Sequence, residues 1–431
     1  MAGRTPGGAS PRWFQDGSLH LGVGIEDTFV PQSRPGERAI DEYELTEHYQ
    51  RWHDDLGLAA DAGAALVRWG VPWYLVEPEP GRFDWSWVDQ VVDRFVGLGL
   101  RPVIDLVHYG TPLWLDGQFA HPDYPQRVAA YAVAFAERFG DRVSDLTPVN
   151  EPMIHALFSG EYGYWPPYLS GTDGLVTMVR QLAHGFQATQ RGVAEVLPGA
   201  TFVHVDAGMR YDGAAEHAAT IGRLRHQVWL VEDLVTGAVD EHHPLADLLV
   251  RHGLGETDLA LFAERAVRPD VVGVNYYPRH STEILSAGES RRGGFADPRP
   301  TRDDGVAGLV ELLRQAAERY RAPVAVTETC VTGSVEDRAA WLDASVGAVY
   351  DLRDEGLDVV AYTWWPLFDM YEWTWRHSSA PRREHLLPMG LHALEETDEG
   401  LARVATPLVE RFRHHAVLAR GRPPGGPPGR T

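Results

Sequence analysis

The sequence predicts an α/β protein, a (β/α)8 TIM barrel formed as a single domain with long loops, and three observations lead there. Short apolar or β-branched runs alternate with longer segments of helical period, the pattern of parallel strands joined by crossover helices. Eight such runs occur, at residues 20–25, 65–71, 102–107, 146–150, 201–205, 271–275, 324–328 and 359–364. The chain has 431 residues, more than the roughly 250 that such a barrel needs. The surplus is expected in loops at the C-terminal ends of the strands, where these barrels build their sites.

In chain order, residues 1–11 hold too little apolar content to order themselves and are expected as a disordered tail, with the barrel running over 12–418. Ahead of the fourth run, the segment 124–138 brings Val128, Tyr131, Ala132 and Phe135 onto one helical face. Ahead of the eighth, 335–355 does the same with Trp341, Leu342, Ser345, Val349 and Leu352. The stretch 287–302, rich in Gly, Arg and Pro, and the stretch 376–387 read as two of the long loops. Residues 419–431, with their Pro-Pro-Gly-Gly-Pro-Pro-Gly run, are expected as a second disordered tail. Neither an internal repeat nor an interdomain linker is evident.

Hydrophobic residues make up 44% and charged residues 23% of the chain, ordinary values for a protein with a large core. A formal net charge of -22 repels phosphate backbones and anionic membrane surfaces, so neither nucleic acid nor a membrane is expected as a partner. The chain contains no lysine, which excludes Schiff-base chemistry on a lysine amine. A single cysteine, Cys330, cannot form an internal disulfide, and residues 1–14 lack the apolar stretch of a signal peptide. The expected location is therefore cytoplasmic. The doublets His242-His243 and His414-His415 lack further ligands at metal-site spacing, so neither a metal nor another cofactor is expected.

Chemistry concentrates at strand ends. The run Leu146-Thr147-Pro148-Val149-Asn150-Glu151-Pro152 finishes in an Asn-Glu pair and is stopped by proline, and Pro323-Val324-Ala325-Val326-Thr327-Glu328 again ends in a glutamate. Polar groups at the C-terminal end of a barrel strand face the mouth, so the fourth and seventh strands bring two carboxyls together. Glycoside hydrolysis asks for such a pair, about 5 to 5.5 Å apart when one acts as nucleophile. Around them, residues 359–375 pack four of the 14 tryptophans about one glutamate, Glu372, as a surface for stacking a sugar would. Asp105, His108 and Tyr109 add a polar cluster at the end of the third strand.

These residues resemble glycoside hydrolase family 1, the β-glucosidase family of retaining barrel enzymes, over roughly residues 20–415. Thr147-Pro148-Val149-Asn150-Glu151-Pro152 resembles the family's Thr-x-Asn-Glu-Pro with one residue more, which implies that Glu151 is the acid/base, with Asn150 beside it among the catalytic residues. Val326-Thr327-Glu328 matches the first half of the family's Ile/Val-Thr-Glu-Asn-Gly and implies that Glu328 is the nucleophile. By the same resemblance, Asn275-Tyr276-Tyr277 places the Tyr277 hydroxyl near that nucleophile, and Arg68 beside it keeps it ionised. Residues 365–373 resemble the family's Trp-Ser-Leu-x-Asp-Asn-Phe-Glu-Trp and imply sugar-binding roles for Trp365, Glu372 and Trp373, with His108 and Tyr109 joining them.

The chain departs from the family at four places. The early glutamine that grips a glucose hydroxyl has no clear counterpart in residues 22–29. His108-Tyr109 replaces a His-Trp pair, Thr329-Cys330 replaces Asn-Gly, and residues 374–389 are expanded. The resemblance thus implies hydrolysis of a β-linked glycoside or oligosaccharide through a covalent glycosyl-enzyme, with recognition altered. Transfer of the glycosyl group to an alcohol, a phosphorylated sugar held by Arg376, Arg382 and Arg383, and a non-hydrolytic sugar-binding barrel are the competing readings.

Overall fold

A computed structural model describes residues 12–285 and 299–421. The expected tail at 1–11, residues 422–431 of the tail expected at 419–431, and most of the expected loop at 287–302 lie outside the described residues. Eight strands form the barrel: β1 His20–Gly24, β2 Leu66–Gly70, β3 Arg101–Asp105, β4 Asp145–Thr147, β5 Thr201–Ala207, β6 Val271–Asn275, β7 Val324–Thr329 and β8 Val359–Trp364. They close in the order β1-β8-β7-β6-β5-β4-β3-β2, and every pairing is parallel.

All eight fall on the apolar runs read from the sequence. The largest difference is at β4, expected to reach Asn150 but ending at Thr147. Pro148 has no N–H to give to a ladder, and beyond it only an isolated bridge between Asn150 and Val205 continues the pairing.

The main helices are α1 His48–Asp61, α2 Ser86–Leu98, α3 Tyr124–Phe139, α4 Gly171–Val196, α5 Leu230–Val235, α6 Gly305–Tyr320, α7 Val335–Asp354 and α8 Pro407–Gly421. In α3 the buried face contains Val128, Tyr131, Ala132 and Phe135, and in α7 Trp341, Leu342, Ser345, Val349 and Leu352, as the periodicity predicts. Helix α8 continues three residues into the segment expected as a tail, because Ala416 and Ala419 are buried along its length. Among the described residues, no helix is long and apolar enough to cross a membrane.

Along β2, Val67 and Trp69 face the outer shell of helices, while Leu66 joins an interior cluster with Val103, Val203, Val271, Ala325 and Val360. Trp13 and Phe14 belong to that cluster, and the Trp13 indole donates to Asp145 at the start of β4 (3.0 Å), so the two rings close the N-terminal end of the barrel. The opposite end is left to polar side chains.

Candidate active site

The two glutamates reach the C-terminal mouth by different backbone devices. On β7, Val324 and Val326 pack outward and Ala325 inward, so strict alternation would send Glu328 outward with the valines. The register against β6 slips at this point: Val326 faces Val274, but Glu328 faces Asn275. One extra residue is inserted, and such a bulge re-aims the side chain, here into the mouth. Glu151 follows the end of β4 and takes a left-handed conformation, φ 42°, before Pro152 opens the short helix Pro152–His155.

Arg68, inward-facing on β2 and almost wholly buried, ties the strands together. One guanidinium nitrogen, Nη1, donates to Glu328 Oε1 (2.8 Å) and to the Thr327 carbonyl (3.2 Å). The other, Nη2, donates to Asp105 Oδ2 (2.6 Å) and Asn150 Oδ1 (2.9 Å). The second oxygen of Glu328 accepts from the Tyr277 hydroxyl (2.6 Å). Glu151 accepts from the Asn275 amide on Oε1 (2.8 Å) and from the Tyr109 hydroxyl on Oε2.

Both carboxyls open into a cavity of ≈ 370 Å³, which Glu26, His108, Tyr109, Tyr277, Glu372 and Trp373 also line. Trp373 packs edge-on against Trp165 (5.2 Å between centroids) and Tyr109 (5.7 Å). Trp365, expected as a sugar contact, is not in the lining. Its ring is fully buried, parallel to His108 at 5.7 Å, and its N–H donates to Glu26 (2.9 Å). A Cβ on Gly24 would stand 1.8 Å from that ring, so the glycine allows the indole to lie on β1 beneath the lining.

Burial dominates the proton affinities. It raises Glu151, against the Tyr109 and Asn275 hydrogen bonds and the charges of His108 and Arg68, which pull it down. It also pushes Glu328 up to about 8, with Arg68 and Tyr277 opposing and the Glu151 charge adding to the rise. The expectation that Arg68 and Tyr277 hold Glu328 low is therefore corrected, since dehydration outweighs both. With both acids in one cavity, a single negative charge on the pair belongs on Glu328, which touches a guanidinium, while Glu151 meets the neutral donors Asn275 and Tyr109. Burial alone would discharge His108, but Asp27 (2.8 Å), Asp105 (3.3 Å) and Glu26 raise it well above its ordinary value.

Asp27, Asp105 and His108 bring three possible ligand atoms within 4.8 Å of one another. The Asp105 carboxylate already meets Arg68 at 2.6 Å, so a divalent ion there would sit close to a guanidinium.

Sequence reasoning missed Glu26 and Asn275 as parts of this site, while Asp27, with Thr28, Tyr109 and Thr329, was expected to govern which glycoside is accepted. Glu26 and Asp27 follow β1 as Glu151 follows β4, and an acid just past a strand end was the available signal. Asn275 is the last residue of β6 and lies within the quoted Asn-Tyr-Tyr.

Residues 12–197 match the family model for glycosyl hydrolase family 1. Beta-glucosidase A of Thermotoga maritima is 24% identical over 351 residues, covering 76% of this chain and 79% of its own. A bifunctional beta-D-glucosidase/beta-D-fucosidase of Bifidobacterium breve is 27% identical over 379 residues, covering 77% and 81%. In fold, the chain is similar to the family 1 β-glucosidase structure from Thermotoga maritima, with a TM-score of 0.78 at 19% identity over 94% of this chain and 98% of that one. The chain is thus similar to glycosyl hydrolase family 1 over residues 12–197 and, over most of its length, to β-glucosidases.

Proposed function

We propose that the protein hydrolyses a β-linked glycoside with retention of configuration, with Glu328 as nucleophile and Glu151 as acid/base. The observation that carries this reading is the pair of buried carboxyls, from the ends of strands four and seven, in one cavity, with Arg68 and Tyr277 bonded to Glu328. In the first half-reaction Glu328 bonds to the anomeric carbon while Glu151 protonates the departing oxygen. In the second, Glu151 takes a proton from water as the water oxygen displaces Glu328. Arg68 and Tyr277 orient Glu328 and stabilise its charged form, and Asn150, bonded to Arg68, lies next to Glu151. His108, Glu372 and Trp373 face the sugar, with Trp365 supporting His108 from behind.

A phosphorylated sugar fits less well. Arg376 is fully buried on the carbonyls of Val30, Pro31 and Arg38 and on Glu37, and Arg382 reaches the Leu45 carbonyl. None of Arg376, Arg382 and Arg383 lines the cavity, where Glu26, Glu151, Glu328 and Glu372 outnumber Arg279 and His108. The relatives' names make aryl β-D-glucosides and β-D-fucosides the first substrates to try. The test compares wild type with Glu328→Ala on these, with and without 6-phosphate, and follows the first-formed anomer by proton NMR. Turnover to the β-anomer by wild type, absent in Glu328→Ala, is expected. First formation of the α-anomer would exclude retention, and equal turnover by the variant would remove the nucleophile from Glu328.

A further inference from the structure

Tyr109 stands in a left-handed backbone conformation, φ 67°, which a bulky residue adopts only when its surroundings enforce it. The surroundings do so. Its ring meets His108 edge-on at 4.9 Å and Trp165 at 5.1 Å, and lies nearly parallel to His155 at 6.0 Å. The side chain is almost wholly buried, and its hydroxyl points to Glu151 Oε2.

The chemistry of that contact is selective. With Asn275 on Oε1 and Tyr109 on Oε2, each oxygen of Glu151 accepts from a neutral donor. A carboxylate satisfies both donors, whereas a carboxylic acid must place its proton on a lone pair that faces neither. Glu328 has a cation to favour its charged form, and among the described residues Glu151 is held by these two hydrogen bonds.

We propose that Tyr109 is a positioning residue that acts through Glu151, fixing the carboxyl in the mouth and favouring its ionised form. It thereby tunes when Glu151 gives up its proton to the leaving oxygen, and it steadies the carboxylate that later takes a proton from water. This rests on the acid/base reading of Glu151. The other groups that act on Glu151 or stand around the pair are Arg68 on β2, Asp206 on β5, Glu328 on β7, Glu26 after β1, His108 after β3 and Tyr277 after β6. His155, on the helix after Glu151, is held neutral by burial. Replacing the Tyr109 hydroxyl leaves all of them in place.

The test titrates Glu151 directly, by carboxyl carbon-13 NMR of the full-length Glu328→Gln protein, where Glu151 is no longer coupled to a second carboxylate. Its resonance is assigned by its loss in Glu151→Gln. Adding Tyr109→Phe should raise the Glu151 midpoint by about one to two pH units, the worth of a hydrogen bond to a charged group. Installing 3-fluorotyrosine at position 109, a stronger donor of the same shape, should lower it, and this variant decides the matter if Tyr109→Phe does not fold. In the otherwise unaltered enzyme, the basic limb of kcat/KM should move up with Tyr109→Phe on a glycoside with a poor leaving group. A Glu151 midpoint unmoved by the folded variants overturns the proposal whatever the turnover. Failure of the acid/base reading would instead appear as Glu151→Ala turning over poor leaving groups at the wild-type rate.

Discussion

Replacing Arg68 with methionine removes the guanidinium in contact with Glu328 while keeping most of the volume. The Nη1 to Oε1 distance is 2.8 Å, which puts the charge centres about 4 Å apart. At an effective dielectric of about 20 such a pair is worth about 4 kcal/mol, or about three pK units. Burial already pushes Glu328 up to about 8, so the variant's carboxyl would titrate well above that. The sign follows directly. Activity that needs the Glu328 carboxylate is present above its folded pKa and lost as pH falls through it, so the acidic limb of kcat/KM must move to higher pH. On the acid side of that limb, three pK units correspond to about a 10³-fold loss of ionised Glu328, so kcat/KM should fall by up to about 10³-fold. The variant also strands Asp105 and Glu328 in the interior, which costs about 3 to 5 kcal/mol of stability. The assay is a pH profile on a dinitrophenyl glycoside, where the leaving group needs no acid, paired with thermal unfolding to establish that the variant is folded. A folded Arg68→Met protein with less than a tenfold loss at pH 7 and an unmoved acidic limb would refute the reasoning.

Two further outcomes follow from the geometry. Glu151→Ala should keep much of its first-step rate on a dinitrophenyl glycoside and lose about 10² to 10⁴-fold on a poor leaving group, and azide should speed its turnover by attacking the intermediate; absence of both effects in steady-state assays would remove Glu151 from the acid/base role. Gly24→Ala should force the Trp365 ring off β1, since the added carbon would lie 1.8 Å from it, lowering stability by about 1 to 3 kcal/mol, and an unchanged melting temperature would mean that the strand yields instead.

The barrel was legible because its strands are buried on both faces and read as continuous apolar runs, bounded by segments of a different period. Val271–Asn275 and Val359–Trp364 coincide with the expected strands at both ends. Where expectation and structure part, the cause is local. Pro148 ends the β4 ladder early, and α8 outlasts its expected limit because Ala419, small and weakly apolar on its own, is covered in the folded chain. Neither cause shows in hydrophobic periodicity, which sees neither a missing N–H nor a neighbour brought in by folding.

The site was legible in its residues and not in its directions. Periodicity would turn Glu328 outward, and only the bulge opposite Asn275 turns it in; no residue of β7 announces that bulge. Trp365, expected from the resemblance as a sugar contact, is fully buried, and the reason lies on the neighbouring strand, where the bare backbone of Gly24 leaves room for the indole and Glu26 accepts its N–H. The surface that Trp365 gives up is lined by Glu26 and His108, with Asp27 behind them against the backbone of Gly70. The cluster explains itself electrostatically: Asp27 and Asp105 keep His108 charged, and a charged His108 offsets acids that could not otherwise be buried together. A change at any one member therefore alters the charge state of the others. Such an exchange is made between the ends of β1, β3 and β8, which are far apart in the chain, so its parts could each be noticed in the sequence while their dependence on one another could not.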